Sequence, residues 1–374
     1  MGKDAPPGLL ASSFYLLASP FVVHPANNLG ESHGLSPEPH PRWRVERNQA
    51  DAPCKLAMAL TPQQLQAIVA RDLTGATLKE VQELPELRYS LILADGERVV
   101  LQLCATAAEV ATVVEALRLL RGEVDLPIPQ LRASDPVGTA IGQPYVVLDG
   151  LAGEPLEQAL PRMIEDHLYT LGRQLGEVLC RVHRIACGRY GLLTGDDSGA
   201  ADDERSYVLA RLDDELARCS ELNLLDRQLA ARLRDGFEQA FKPPGRRAAL
   251  VCGGVTPRTI LVRQVQGGWR LSGLLGWERA LGWSPAWDHV TFLDAAGGLR
   301  FFSLRVGYGN AYDDSTQRAY EQVREHALAP YRLLLVLQRM REAHAHGAVA
   351  ERDRRRNVLV GLLGAFERAS RIGS

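Results

Sequence analysis

Cysteine is scarce and scattered. The six residues Cys54, Cys104, Cys180, Cys187, Cys219 and Cys252 include no Cys-x-x-Cys pair, so nothing indicates a disulfide scaffold or a cysteine-built zinc site, and a reduced, cytoplasmic protein is the expectation. An excess of charge of either sign is missing too. Lys and Arg number 43 against 45 Asp and Glu, a net charge of −2, which leaves no whole-chain field to gather a nucleic acid or an anionic membrane; neither is expected as a partner. Long apolar runs are also lacking, since none reaches the roughly 20 residues that span a bilayer. The stretch Leu9 to Val23 imitates a signal-peptide core, but its flank carries one Lys followed by an Asp, and no small-x-small cleavage site follows. Met1-Gly2 opens like a myristoylation signal, yet Pro6 stands where Ser or Thr is needed. His344 and His346 form a His-x-His with no cysteine or carboxylate cluster beside it, so a solvated loop is expected there, not a metal site.

What is present is enough apolar material for a real core: 374 residues, 46% hydrophobic, which fits one large domain or two lobes. Residues 1–57 are rich in Pro, Asn, His and Ser with no sustained period of 2 or 3.6. They read as a disordered extension, although a start codon assigned too far upstream would give the same contrast. Thr61-Pro62 then supplies an N-cap and a first-turn proline for a helix. From Thr77 to Leu103 the pattern is strand-like, with Asp95-Gly96 as a hairpin turn between two apolar runs. Ala107 to Leu120 repeats apolar residues at helical spacing and stops at Gly122, which predicts a glycine C-cap.

Two short strands follow, in "LPIPQLRAS" and "QPYVVLDGL", after which the chain reads mainly as helix: 164–185, 203–219, 225–242, 316–345 and 350–370. A second strand pair, "AALVCGG" with "TILVRQVQGGWRLSGLLGW", interrupts them with Gly267-Gly268 at its turn. Strands first and helices after predict a segregated α+β arrangement with two lobes, a small β-rich one over 58–150 and a larger helical one over 151–374 that encloses a hairpin region at 249–290.

Four segments in order carry a resemblance. "LGRQLGEVLCRVHRI" (Leu171 to Ile185), "ALVCGGVTPRTILV" (Ala249 to Val262), "LSGLLGWERALGWSPAWDHV" (Leu271 to Val290) and "VGYGNAYD" followed by "LAPYRLLLVLQRM" resemble landmarks of the aminoglycoside/choline-kinase-like phosphotransferase family. The second has the rhythm of that family's catalytic loop, L-V-H-G-D-x-x-P-x-N-I-L-V. The third matches its metal-binding segment, S-G-V-I-D-W-E-x-A-x-x-G-D-P-x-W-D-L. The resemblance implies a two-lobed protein-kinase-like fold over nearly all of 59–374.

It also implies what the site should hold. Phosphoryl transfer needs a loop over the phosphates, a lysine, carboxylate and amide ligands for Mg²⁺, and a carboxylate for the acceptor hydroxyl. By the resemblance, the acceptor-side Asp falls on Gly254, the metal-binding amide on Thr259, the metal-binding Asp on Gly276, the strand Lys on Gln102 and the loop His on Cys252. The lysine's helix partner would be Glu109 or Glu115, and the phosphate-covering turn reads Glu83-Leu84-Pro85-Glu86-Leu87, two of whose carboxylates would repel a nucleotide.

Asp288 matches a family Asp whose usual work is to hold the loop backbone, and His183 matches the family helix histidine. Glu278 and Arg258 are the charged residues nearest the vacated positions, with an ion pair to each other or solvent contact as the expectation. The expectation for function is therefore a catalytically inactive, phosphotransferase-like pseudokinase that acts as a binding, scaffold or regulatory subunit. Its partner would be an unidentified protein or a small ligand between the lobes, with no cofactor. The alternative is an active phosphotransferase of non-standard site, which would need ATP and Mg²⁺. The acidic segment "ADDERSYVLARLDDELARC" offers either a cationic-ligand surface or a solvated helix face.

Overall fold

The computed structural model describes residues 60–372, apart from 85–87, 123–126, 194–200, 242–246 and 317–319. The extension over 1–57 lies outside the described residues, as does the centre of the turn expected to cover phosphates. Helix α1 (Pro62–Asp72) starts as its sequence dictates: the Thr61 hydroxyl accepts from the Gln64 N–H, the Gln64 side chain returns the bond, and Pro62 sits in the first turn. Strands β1 (Leu78–Leu84), β2 (Arg88–Leu93), β3 (Arg98–Leu103), β4 (Leu131–Asp135) and β5 (Tyr145–Asp149) then form one antiparallel sheet in the order β1-β2-β3-β5-β4.

Both faces of that sheet are covered. Tyr89, Leu91, Leu93, Val99, Leu101, Leu103, Tyr145 and Val147 bury one face against Leu65, Ile68 and Val69 of α1. The alternating set Val100, Val146 and Leu148 meets α2 (Ala107–Leu120) and continues into the core of the helical part. The expected glycine C-cap is not observed. Arg121 caps α2 in a right-handed conformation, its N–H bonding the Arg118 carbonyl, and Gly122 does not take positive φ.

The rest is predominantly helical. After β6 (Glu154–Pro155) come α3 (Leu156–Ala159), α4 (Glu165–Val182), β7 (Gly191–Leu192), α5 (Glu204–Glu221) and α6 (Arg227–Ala240); after the hairpin region come α7 (Ala286–Ala295), α8 (Phe302–Thr316), α9 (Tyr320–Ala345) and α10 (Val349–Ile372). The expected helices are found within a few residues of their predicted bounds, with α7 and α8 added ahead of α9. Among the described residues no helix is long and apolar enough to cross a membrane. The small antiparallel lobe and larger helical lobe are the α+β, kinase-like arrangement that the sequence predicts.

The hairpin region departs from expectation in one respect. β9 (Ile260–Val265) and β10 (Gly268–Leu274) do pair across Gly267-Gly268, but β8 (Ala249–Val251) does not join them. It pairs instead with β11 (Leu281–Trp283), in a small sheet of order β7-β11-β8. At Gly253 φ is +70, which turns the chain out of the β8 line before β9 begins. Consequently the two connecting segments, 252–259 and 275–280, lie side by side.

Candidate functional site

The side of this loop pair that faces the helical core is fully built. Asp288 enters from the first turn of α7 and is completely buried. Its carboxylate accepts from the Cys252 N–H at 2.8 Å, from the Gly253 N–H at 2.7 Å, and from His183 Nε2 at 3.0 Å. His183, which follows α4, meets the Tyr312 hydroxyl through Nδ1 at 2.9 Å. The loop's left-handed residue is equally constrained: a Cβ at Gly253 would stand 2.2 Å from the Arg279 carbonyl oxygen, so only glycine fits.

The opposite side is closed by backbone. Gly254 and Gly276 face each other, and a Cβ at Gly254 would stand 2.9 Å from the Gly276 carbonyl oxygen, while one at Gly276 would stand 3.0 Å from that of Gly254 and 3.2 Å from Thr259 Cγ2. Gly276 also takes φ +96, where L side chains are strained. Thr259 is buried and its hydroxyl is spent inside the loop: it accepts from the Thr256 N–H at 2.9 Å and donates to the Gly254 carbonyl at 2.7 Å. Cys252 is buried with its Sγ against the Leu275 carbonyl at 3.7 Å; burial, then the Asp288 charge, pushes its thiol well above the ordinary range. Its position is that of a packing residue, with the thiol held protonated by burial.

Where the resemblance puts a lysine, Gln102 of β3 joins a cluster that sequence reasoning missed. Arg88 opens β2 directly opposite Gln102. Its Nε donates to Gln102 Oε1 at 3.2 Å, and its Nη2 donates to Glu278 Oε1 at 3.1 Å. Gln102 Nε2 in turn donates to Glu278 Oε2 at 2.9 Å. Glu278 lies on the 3₁₀ turn Trp277–Arg279 that follows Gly276, so three side chains from two lobes close a triangle beside the facing glycines. The signal was available: Arg88 and Gln102 are equidistant from Asp95, so the predicted hairpin already paired them.

The remaining expected residues fall outside this cluster or play other parts. Of the two expectations for Arg258 and Glu278, an ion pair with each other or solvent contact, the pair is not formed: Arg258 lies half exposed on the surface, where its Nε bonds Glu157 at 3.0 Å beside the turn at Pro257. Glu115 bonds Arg118 on the outer face of α2. Glu109 is the helix acid near the cluster; burial, with Glu278 adding to it, raises its carboxyl above the usual range against the opposing bond from the Ala105 N–H. The acids of α5 are mostly engaged within the chain: Glu204 with Tyr331, Glu215 with Arg341, Asp213 with Arg234 and Asp214 with Arg218. Of the pair expected in a loop, His344 lies in the last turn of α9 and His346 just past its end, with its ring on the Glu342 carbonyl.

The residues do not fit Mg²⁺. A hard cation in such a site draws on carboxylates; Gly276, at the metal-binding carboxylate position, presents only backbone, and Thr259, at the metal-binding amide position, has its hydroxyl engaged within the loop. Among the described residues no group of three or more His, Cys, Asp and Glu side chains converges as a metal site.

A family model described as "Phosphotransferase enzyme family" matches residues 80–326. Solved structures with the same fold include the GDP and kanamycin complex of the aminoglycoside phosphotransferase APH(2")-IIIa, at 18% identity and TM-score 0.57 over 80% of this chain and 98% of that one. Aminoglycoside phosphotransferase APH(4)-Ia gives 13% identity and TM-score 0.58 over 84% and 100%. A putative aminoglycoside phosphotransferase from Ralstonia eutropha gives 15% identity and TM-score 0.60 over 82% and 98%. No curated protein matches the chain in sequence.

Proposed function

We propose that this chain, which belongs to the phosphotransferase enzyme family and has its kinase-like fold, is a pseudokinase that works by binding, as a scaffold or regulatory subunit. The observation that carries this reading is the contact between Gly254 and Gly276. At those two positions the resemblance calls for the carboxylates that steer an acceptor and gather a metal, and here backbone closes on backbone. Loss of a general base alone costs about 10²- to 10⁴-fold in rate. Loss of the metal ligands and the lysine removes stabilisation of the same transition-state charge, so no neighbouring group replaces the set. The acids of α5, engaged with residues of their own chain, favour a solvated structural helix over a surface for a cationic ligand.

Thermal unfolding of the full chain with ATP or GTP, with and without Mg²⁺, tests the reading. No metal-dependent change in Tm is expected. A ligand held at 100 times its Kd would add about 2.7 kcal/mol, a shift of several degrees, and such a shift appearing only with Mg²⁺ would establish the active alternative. The single restorations Gly254→Asp, Thr259→Asn, Gly276→Asp and Gln102→Lys should each leave the Tm insensitive to nucleotide, since a Cβ at Gly254 crowds the Gly276 carbonyl, one at Gly276 meets a left-handed φ, and none alone rebuilds the site.

A further inference from the structure

We infer that Arg88, Gln102 and Glu278 form a permanent latch between the lobes, a bridge made within the chain where an active phosphotransferase would be bridged by lysine, metal and nucleotide; the inference rests on the pseudokinase reading above. Its geometry is closed. Arg88 donates to both partners, Gln102 donates to Glu278 while accepting from Arg88, and both carboxylate oxygens are engaged. The guanidinium is 2% exposed and the carboxylate 15%, so solvent screening does little to weaken the pair. The contacts join β2 and β3 of the small lobe to a turn that lies 176 residues or more away in sequence.

This arrangement accounts for Gln102 by more than loss. A lysine at that position would set a second cation beside the Arg88 guanidinium in a buried site, and an apolar residue would remove the acceptor of Arg88 Nε and the shorter of the two bonds to Glu278 Oε2. An amide is the neutral side chain that accepts from a cation on one side and donates to an anion on the other. The guanidinium presents a planar fork that serves the amide and the carboxylate at once. A phosphate approaching Arg88 would have to displace a carboxylate already bonded to it. The relative placement of the lobes is therefore set without ligand, and a partner that spans both would meet an unvarying surface.

Hydrogen exchange of the full-length protein, measured without nucleotide, tests the latch. Arg88→Met, Glu278→Gln and the double variant are compared in peptides covering residues 88–103, 249–259 and 275–283. Each single change is expected to raise exchange about tenfold in all three segments, including those across the lobe boundary, and the double variant to add little to either single. Should Arg88→Met fail to fold, Gln102→Leu keeps the ion pair, removes only the amide, and should raise exchange in the same three segments. The latch is overturned if the two single effects add, or if changes in β2 and β3 leave 249–259 and 275–283 unmoved. Since nucleotide is absent, this outcome is separate from the Mg²⁺-dependent Tm that decides the pseudokinase reading: either can fail alone.

Discussion

The two sides of one loop differ in what fills them. Toward the helical core, residues 252 and 253 are fastened by a buried carboxylate that also orients His183. Two residues further on, Gly254 offers nothing but backbone to Gly276. The first side holds the loop backbone in place, and the second is where the resemblance expects the groups that phosphoryl transfer uses. Their separation teaches that scaffold and chemistry are carried by different atoms of the same turn, so one can be emptied while the other stays filled.

Removing the scaffold should do the most damage. Asp288→Ala leaves two buried backbone N–H groups and a histidine without their acceptor, and is expected to cost about 3 to 5 kcal/mol, read as a fall in the urea midpoint at unchanged m-value. If the variant were as stable as the parent, the contrast between the two sides would collapse. A subtler effect is expected at Glu109, whose carboxyl is raised by burial and by Glu278.

A carboxyl held above its unfolded pKa makes the fold bind the extra proton, so its penalty is absent at low pH and grows as pH rises through the folded pKa. Glu109→Gln, which can still accept from the Ala105 N–H, should raise Tm by about 1 °C near neutrality, and the gain should vanish below about pH 4. A gain that persisted in acid would mean that charge is not the cause. The smallest effect is expected at Arg258→Ala: its pair with Glu157 is half exposed on both sides, so stability should stay within about 0.5 kcal/mol, and a larger loss would place Arg258 inside the working structure after all.

Much of this was legible before the fold was seen. Thr61-Pro62 and Asp95-Gly96 announced a helix start and a hairpin turn through chemistry local to a few residues, and both form as read. The bearing of Asp288 on the loop followed from the resemblance. Arg88 escaped because a cation at the start of an apolar strand reads as a solvated end, and only the meeting of β2 with the turn after Gly276 buries it. The pairing of Arg258 stayed open between Glu278 and solvent, since proximity in a motif does not fix where a long side chain points, and the fold leaves it half exposed beside Glu157. The partner of β8 was likewise missed: adjacent strands are the natural guess, and Gly253 turns the chain away from it.

By itself the sequence determined the order of most elements and the hairpin turns, because those depend on propensity and spacing along the chain, and the resemblance added which residue stands at each family position. Only the tertiary structure decided that Gly254 rests on Gly276 and that Gln102 and Glu278 share Arg88. Contacts between segments distant in the chain are set by packing, and packing determines whether a missing side chain leaves a space or a closed wall.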